Sequence, residues 1–410
     1  ADIIKSIGEK ISENKDKLAK LMTQEMGKPL EQGYDEVKLC AGICEYTAKT
    51  GVENLQDEER ELSDGGEGVI TYSPIGVIYG IQPWNYPAYQ VIRYAIVNLM
   101  AGNAVLLKHA ENVTGSALLL EKIFADAGLP KNLFRVIIID HEQSNKIIEN
   151  DYVRGVTLTG SSAAGKKVGE KAGAALKKVV LELGSNDAYL VLEDADIELA
   201  VEKCVEGRIY NNGETCIAAK RFVVVDAIYD EFRDAFVKAM QEVKVGDPME
   251  NGIDMGPMAR KDLREKLHTQ VMDSIKNGAK AVIGGQIPNK CGFYYPVTVL
   301  EDVKPGQPAY DDELFGPVAS LIKAKDTEDA MRIANDSRFG LGGGIFSKDE
   351  EKAKELAKTH FDTGMIFINS FGLSDPAMPF GGVKNSGFGR EHGGYGIKEF
   401  VNVKAINFAE

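Results

Sequence analysis

The sequence lacks several features that would assign it to a specialised class of protein. Its five cysteines are an odd number scattered over 410 residues, so they form no disulfide framework and favour a reducing, cytoplasmic location. No run reaches the ~18 apolar residues of a membrane-spanning helix. The first ten residues mix charged and aliphatic side chains and have no apolar signal segment. We therefore expect no membrane partner.

An excess of positive charge is also missing. The net charge is −14 and lysines and arginines form no block, which argues against nucleic acid as a partner. Cys40 and Cys44 lie four residues apart on a predicted helix, but no second cysteine or histidine cluster completes a zinc site. We predict that both cysteines belong to the core and that the protein holds no metal.

What is present indicates a globular α/β protein. Apolar residues make up 44% of a chain long enough for two or three domains, and 43 glycines point to tight turns. Apolar spacing predicts two opening helices, over 3–26 and 37–46. The acidic, Gly-rich stretch that follows, with strands at 69–72 and 76–80, favours a projecting hairpin.

Strands alternate with helices from residue 104 onward. The first series has strands at 104–107, 134–139 and 153–159 and helices at 114–127, 142–149 and 163–174. The second has strands at 188–192, 222–225, 281–283, 318–322, 344–346 and 364–368 and helices at 196–208, 227–243 and 259–277. Nearly continuous apolar strands between helices are typical of a parallel sheet covered on both faces. A boundary near Gly184 and Ser185 separates two α/β domains.

The commonest dinucleotide-binding fingerprint, G-x-G-x-x-G after a strand, does not occur. The strand at 156–159 leads instead into Gly160 and Ser161, and the segment that follows comes within one residue of a P-loop. Lys167 stands where the magnesium-binding hydroxyl belongs, which argues against an NTPase. A helix begins directly after this strand, and Ser161 at its N-terminus either helps to bind a phosphate or is an ordinary cap.

Two further segments carry residues suited to chemistry. Lys108 and Glu111 leave a predicted parallel strand together, where they either bind ribose hydroxyls or are solvated at the surface. Cys216 follows Gly213 and precedes an apolar strand, so a turn can present its sulfur as a nucleophile. The alternative is that Cys216 is a small buried hydrophobe, the usual role of a free cysteine.

Seven motifs occur in a fixed order along the chain: Pro83-Trp84-Asn85-Tyr86-Pro87, Lys108-His109-Ala110-Glu111, Leu158-Thr159-Gly160-Ser161, Leu181-Glu182-Leu183-Gly184, Asn212-Gly213-Glu214-Thr215-Cys216, Glu313-Leu314-Phe315-Gly316-Pro317 and Pro379-Phe380-Gly381-Gly382-Val383-Lys384-Asn385-Ser386-Gly387. Their order and spacing resemble those of the NAD(P)-dependent aldehyde dehydrogenase superfamily. The resemblance covers essentially the whole chain.

This resemblance implies an aldehyde dehydrogenase-like α/β fold in three parts. A Rossmann-like cofactor-binding domain would comprise residues 1–60 and 75–184, with its N-terminal part incomplete. The α/β catalytic domain would span 185–385. A small β oligomerisation element would comprise 61–74 and 400–410, and the protein would form a homodimer or homotetramer.

The resemblance also implies the reaction and its residues. An aldehyde would be oxidised to a carboxylic acid through a thiohemiacetal and a thioester on Cys216, with the Asn85 side chain and the Cys216 amide binding the oxyanion and Glu182 activating water. The cofactor would be NAD, because Glu111 would repel the 2′-phosphate of NADP. NADP is the possible second cofactor. The implied cofactor-binding residues are Trp84, Lys108, Glu111, Gly160, Ser161, Leu183, Glu313 and Phe315.

Within the family, the run from Trp84 to Arg93 resembles that of the branch that oxidises succinate semialdehyde to succinate. Arg93 would bind the distal carboxylate of the substrate, although an internal salt bridge on a helix is the alternative. Tyr210 stands where better known members carry a second arginine, and Ser374 and Phe380 would line the substrate entrance. The alternatives are a broader enzyme for medium-chain or hydroxy aldehydes and a catalytically idle structural protein on the same fold.

Overall fold

The computed structural model describes residues 1–63 and 65–408. Its helices are α1 (Asp2–Glu13), α2 (Lys15–Met26), α3 (Leu30–Asn54), α4 (Tyr89–Met100), α5 (Thr114–Asp126), α6 (His141–Glu149), α7 (Ser162–Ala174), α8 (Ile197–Ile209), α9 (Tyr229–Gln241), α10 (Lys261–Lys276), α11 (Pro308–Asp311), α12 (Thr327–Asn335), α13 (Glu350–Thr359) and α14 (Gly396–Glu399).

The strands are β1 (Glu58–Glu61), β2 (Glu67–Pro74), β3 (Val77–Gln82), β4 (Ala104–His109), β5 (Phe134–Val136), β6 (Val153–Thr159), β7 (Lys178–Glu182), β8 (Ala188–Val191), β9 (Arg221–Val225), β10 (Lys280–Ile283), β11 (Thr298–Glu301), β12 (Val318–Ala324), β13 (Phe339–Gly340), β14 (Gly343–Phe346), β15 (Phe367–Ile368), β16 (Val383–Lys384), β17 (Gly387–Phe388) and β18 (Val401–Asn407). Most follow the predicted order of elements.

The chain opens with α1, α2 and α3, so the prediction of two opening helices is wrong. Asn14 separates α1 from α2 with φ −97° and ψ 13°, values outside the helical range. Because both helices are amphipathic, their apolar faces read as one periodic pattern across the break. Cys40 and Cys44 are fully buried among the apolar side chains of these helices and α4, as predicted.

A six-stranded sheet in the order β17-β7-β6-β3-β4-β5 follows. All of its pairings are parallel except that of β17 with β7, which confirms the predicted parallel sheet. The carboxyl ends of parallel strands lie at one edge of a sheet. The residues that follow β3, β6 and β7 therefore meet there, and these are Pro83, Gly160 and Leu183.

A seven-stranded sheet in the order β10-β11-β12-β9-β8-β14-β15 carries the later strands, and only β10 is antiparallel to its neighbour. Its two faces are covered by separate clusters of buried apolar residues. The predicted boundary near Gly184 falls in the loop between the last parallel strand of the first sheet and the first strand of the second. The division into domains stays a prediction.

A third sheet, β1-β2-β18, is antiparallel and stands apart from the other two in its strand pairing. It contains the hairpin of β1 and β2, whereas the predicted strand at 76–80 belongs to the six-stranded sheet as β3 and does not pair with β2. Val403, Ile406 and Phe408 are large apolar residues of this C-terminal segment that are exposed. Residues 64, 409 and 410 of the predicted oligomerisation element lie outside the described residues.

In residues 1–63 and 65–408, each helix is too short or too polar to cross a bilayer.

Candidate active site

Cys216 lies in a tight connection between α8 and β9. Asn211, Asn212 and Gly213 have positive φ angles of 54°, 59° and 74°, a left-handed conformation that asparagine and glycine tolerate best. A Cβ added to Gly213 would lie 2.5 Å from the carbonyl carbon of Gly316, so only glycine fits there. This turn reverses the chain and leaves the Cys216 side chain partly exposed.

The main chain around Cys216 is held from two sides. Asn211 donates from Nδ2 to the carbonyls of Asn85, at 2.9 Å, and Glu214, at 3.2 Å. On the other side, the Cys216 carbonyl accepts from Lys220 Nζ at 2.5 Å and from the Ser185 hydroxyl. Burial raises the pKa of the Cys216 thiol to about 11, and the positive charges of Arg93 and Lys220 oppose that rise. The partly exposed thiol therefore lies within the electrostatic influence of two cations.

Asn85 follows β3 and lies next to this connection. Its side chain is buried, and Nδ2 donates to the Glu214 carbonyl at 3.0 Å. The following residue, Tyr86, shares a 3.0 Å hydrogen bond between its hydroxyl and that of Thr215, the neighbour of Cys216. These two bonds join the loop after β3 to the connection that carries Cys216, over a long sequence separation. They bring the Asn85 amide to the cleft that Cys216 also lines.

Glu182 is the last residue of β7 and is buried. Neither carboxylate oxygen has a hydrogen-bond partner among the described residues. Burial raises its pKa well above the usual range, the nearby Glu391 raises it further, and Arg93 and Arg390 act in the opposite direction. An unpartnered carboxyl with a raised pKa has the properties of a general base that works near neutral pH.

A cleft of about 400 Å³ opens at the carboxyl edge of the six-stranded sheet. Six of the eight predicted cofactor residues line it: Trp84, Gly160, Ser161, Leu183, Glu313 and Phe315. The rings of Trp84 and Phe315 meet edge to face, with centroids 5.8 Å apart. Lys108 and Glu111 lie at the carboxyl end of β4 on the same edge of the sheet, beyond the residues that line this cleft.

The cleft suits a nicotinamide dinucleotide. The N-terminus of α7 opens onto it, where amides and the helix dipole favour a phosphate, although Ser161 also caps that helix by accepting from the Ala164 amide at 3.2 Å. A Cβ on Gly184 would lie 2.6 Å from Glu313 Oε2, so the glycine leaves room for that carboxylate to face the cleft. Glu313 Oε1 accepts from the Ser185 amide at 3.0 Å.

A second, much smaller cavity lies beside the first, with a volume of about 20 Å³ against about 400 Å³ for the cleft, and Cys216 lines both. The predicted substrate residues Ser374 and Phe380 are on its wall. Gln90, which the sequence reasoning missed, is there too; it is buried, and its amide nitrogen and oxygen have no partner among the described residues. A glutamine in an apolar helical run gives no sign in the sequence of which way it faces.

Arg93 and Tyr210 lie elsewhere. Arg93 is fully buried in an ion pair with Glu391, and its Nη2 donates to the Thr159 hydroxyl at 3.0 Å. Its guanidinium carbon lies 5.1 Å from the ring centre of Tyr89 and 4.5 Å from that of Phe380. The Tyr210 hydroxyl donates to the Asp35 carboxylate at 3.3 Å, in a separate acidic groove. The substrate-binding roles of both stay predictions.

The arrangement defines a class of protein: an α/β enzyme with a partly exposed cysteine shared by a dinucleotide-sized cleft and a smaller cavity. Residues 1–406 match the model of the aldehyde dehydrogenase family. The chain is 43% identical to a succinate semialdehyde dehydrogenase [NAD(P)+] of Escherichia coli, over 99% of this chain and 87% of that protein. It is also 43% identical to a succinate-semialdehyde dehydrogenase [NADP(+)] of Deinococcus radiodurans, over 99% of this chain and 85% of that protein.

A solved structure agrees with these matches. The succinic semialdehyde dehydrogenase of Streptococcus pyogenes in complex with NADP+ superposes with a TM-score of 0.98 at 36% identity, covering all of this chain and 90% of that one. The chain therefore belongs to the aldehyde dehydrogenase family and is an oxidoreductase acting on the aldehyde group. The predicted fold class and family are confirmed.

Proposed function

We propose that the protein oxidises succinate semialdehyde to succinate with a nicotinamide dinucleotide as the electron acceptor. The observation that carries this proposal is the position of Cys216, whose side chain lines both the large cleft and the cavity beside it. A thiol in that place can bond to a carbonyl carbon in the cavity while the carbon faces the cleft.

Three residues carry the chemistry in this proposal. The Cys216 thiolate attacks the aldehyde carbon, and the carbonyl oxygen becomes an oxyanion that accepts hydrogen bonds from the Asn85 amide and the Cys216 backbone amide. A nicotinamide dinucleotide, when bound in the cleft, supplies the acceptor for the hydride. Glu182 then takes a proton from water, and the water oxygen attacks the thioester carbon; the C–S bond breaks, which releases the carboxylic acid and regenerates the Cys216 thiolate while the proton stays on Glu182.

Six residues hold the cofactor in this proposal. Trp84, Leu183 and Phe315 supply apolar walls, Gly160 and Ser161 lie at the α7 N-terminus, and Glu313 offers its carboxylate to ribose hydroxyls. Lys108 and Glu111 would contact the second ribose from the end of β4. The carboxylate at Glu111 favours NAD, and the relatives named for NADP(+) keep NADP as a second acceptor.

Succinate semialdehyde is the proposed substrate because the similar proteins are named for it. In the cavity, the Gln90 amide is buried with no hydrogen-bond partner among the described residues, and Ser374 adds a hydroxyl; both can donate hydrogen bonds to a distal carboxylate. Arg93 would add its positive charge from behind the rings of Tyr89 and Phe380. Tyr210 would act from outside this cavity.

A broader aldehyde dehydrogenase is the second candidate, and one observation favours it. The charge of Arg93 is already matched by Glu391, so the walls of the cavity offer a substrate carboxylate neutral donors only. An enzyme of that kind would accept medium-chain or hydroxy aldehydes about as well as succinate semialdehyde.

A direct comparison of substrates tests the proposal. NAD(P)H formation would be followed with succinate semialdehyde and with butanal, a neutral aldehyde of equal chain length, and with NAD and NADP in turn. We expect kcat/KM to favour succinate semialdehyde by about ten-fold or more, the worth of one or two charge-assisted hydrogen bonds. Equal values would support the broader enzyme, and Cys216→Ala with unchanged turnover would overturn the enzymatic role of Cys216.

We also propose that the protein forms a homodimer or homotetramer through its three-stranded sheet. Strand β18 is an edge strand of that sheet, and β15 is an edge strand of the seven-stranded sheet. Unpaired strand edges and the exposed apolar side chains of Val403, Ile406 and Phe408 favour pairing between copies of the chain. In this proposal residues 1–60 with 75–184 bind the cofactor, and 185–385 form the catalytic domain.

A further inference from the structure

Lys220 is a buried lysine that none of the proposed steps uses. It stands directly before β9, four residues after Cys216. Its ammonium donates to the Ser185 hydroxyl at 2.8 Å and to the carbonyls of Cys216 at 2.5 Å and Thr215 at 3.2 Å. The N–H groups of this ammonium are thus directed at the main chain that carries Cys216 and at the Ser185 hydroxyl.

The same nitrogen lies close to the proposed cofactor carboxylate. Lys220 Nζ is 3.5 Å from Glu313 Oε1, the oxygen that also accepts from the Ser185 amide. Glu313 lines the large cleft, whereas Lys220 is almost completely buried behind it. One ammonium therefore connects the carbonyl of Cys216 with a carboxylate that faces the cleft.

The next residue, Arg221, makes a useful contrast. It is buried as well, but its guanidinium donates to the carbonyls of Asn186, Ile333 and Ala334, all at 2.9 Å. Those bonds join β9 to the segment around α12 and do not involve the nucleophile. The hydrogen bonds of Arg221 therefore stabilise the packing of distant segments, whereas those of Lys220 are made to the main chain at Cys216 and to Ser185.

Charged groups of both signs surround the Lys220 ammonium and the Cys216 thiol. Glu313 and Asp187 are the acidic groups facing Lys220, with Arg208 as a further cation. Cys216 faces the cations Arg93 and Lys220 and the carboxyl groups Glu313 and Glu182. Removing the charge of Lys220 would leave Arg93 as the cation of that set, opposite two carboxyl groups.

We propose that Lys220 is a positioning residue that links the nucleophile to the cofactor site. It fixes the Cys216 carbonyl, stabilises the thiolate by its positive charge, and holds Glu313 in the orientation that faces the cleft. This inference rests on the proposed function, because it takes Cys216 as the nucleophile and Glu313 as a cofactor contact.

The test is the rate at which iodoacetamide alkylates Cys216 as a function of pH. A Cys291→Ser background removes the exposed cysteine, so the reaction reports Cys216. Lys220→Met removes charge and hydrogen bonds, Lys220→Gln removes the charge alone, and Lys220→Arg keeps the charge. We expect the alkylation rate at neutral pH to fall roughly ten-fold in the Met and Gln variants, with the midpoint at higher pH, because an opposite charge at this range stabilises a thiolate. Lys220→Arg should retain most of the rate.

Cofactor binding provides the second measurement. NAD+ and NADP+ titrations should show weaker binding to Lys220→Met and Lys220→Gln, since Glu313 loses its cationic partner in both and keeps only the Ser185 amide. Arg221→Met is the matched control, and it should lower thermal stability while leaving the alkylation midpoint in place. If Lys220→Met does not fold, the comparison of Lys220→Gln with Lys220→Arg decides the question.

Two results would overturn the inference: a wild-type alkylation profile in Lys220→Gln, or a profile in Arg221→Met shifted as far as in Lys220→Gln. Neither depends on the substrate, because alkylation requires no aldehyde and no turnover. Failure of the proposed function would instead appear as absence of NAD(P)H formation by the wild-type protein.

Discussion

The guanidinium of Arg93 forms a buried ion pair with the carboxylate of Glu391, although 298 positions separate the two residues in the chain. Arg93 belongs to α4, and Glu391 follows β17 in the Gly-rich C-terminal segment. The pair lies close to Glu182, whose pKa Glu391 raises and Arg93 lowers. The pair thus connects α4 with the C-terminal segment, next to Glu182.

We expect Arg93→Met to lower the free energy of unfolding by about 3–5 kcal/mol, because it leaves a buried carboxylate without its partner. The double variant Arg93→Met/Glu391→Leu should recover most of that loss. Chemical denaturation of the two single variants and the double variant measures the coupling. As a control, Lys122→Met breaks an exposed ion pair with Asp126 and should cost at most about 0.5 kcal/mol. Additive effects at Arg93 and Glu391 would contradict this expectation.

Glu182→Gln should allow hydride transfer and formation of the thioester but block hydrolysis of the thioester. Loss of the base is expected to lower steady-state turnover by about 10²–10⁴-fold, while one equivalent of NAD(P)H per site still forms in a burst. Stopped-flow absorbance at 340 nm is a suitable measurement. An exposed carboxylate, Glu170, provides the control variant Glu170→Gln, which should turn over normally. Absence of the burst would place Glu182 in an earlier step.

The raised pKa of Glu182 also predicts opposite trends for activity and stability. The base must be ionised to act, so turnover of the wild type should rise with pH above the usual range of a glutamate. The folded state binds the proton more tightly than the unfolded state, so this group contributes stability at low pH that is lost as pH rises through that window. Unfolding of Glu182→Gln should therefore show a weaker decline with rising pH than unfolding of the wild type.

Gly213→Ala should damage the nucleophile turn. An added Cβ would lie 2.5 Å from the Gly316 backbone at a φ of 74°, so we expect a loss of about 1–3 kcal/mol in stability together with most of the activity. Gly42→Ala is the matched control, because a Cβ there meets no atom within 4 Å and the residue lies inside α3. That substitution should stabilise the protein by about 0.5–1 kcal/mol. Thermal melts and turnover distinguish the two outcomes.

Gln90→Met should stabilise the protein and weaken the binding of succinate semialdehyde. The Gln90 amide is buried and has no partner in the part of the chain that the structure describes, so an apolar side chain of similar size removes the cost of that burial, about 1 kcal/mol. If the amide binds the carboxylate of succinate semialdehyde, KM for that substrate should rise several-fold while KM for butanal stays constant. Parallel rises in both KM values would mean that Gln90 shapes the cavity and does not bind a carboxylate.

Periodicity and motif order were enough to predict most strands of the two parallel sheets, but β7, β11, α12 and α13 were not among the predicted elements. These patterns gave no sign of α4, because its residues from Tyr89 to Asn98 are all buried and a helix that is apolar on every side has no periodic stripe. They also merged α1 with α2, since the break at Asn14 interrupts two apolar faces without changing their period.

The local sequence by itself determined where Cys216 can stand, because Asn211, Asn212 and Gly213 accept the left-handed turn that few other residues tolerate. Which charges surround the sulfur was decided by the tertiary structure alone. Arg93 meets Glu391 and Lys220 reaches Glu313 only after distant segments have packed together, and no spacing along the chain encodes those pairings. Burial makes each of these pairings important for stability, because a charge removed from water is costly unless the fold supplies it with a partner.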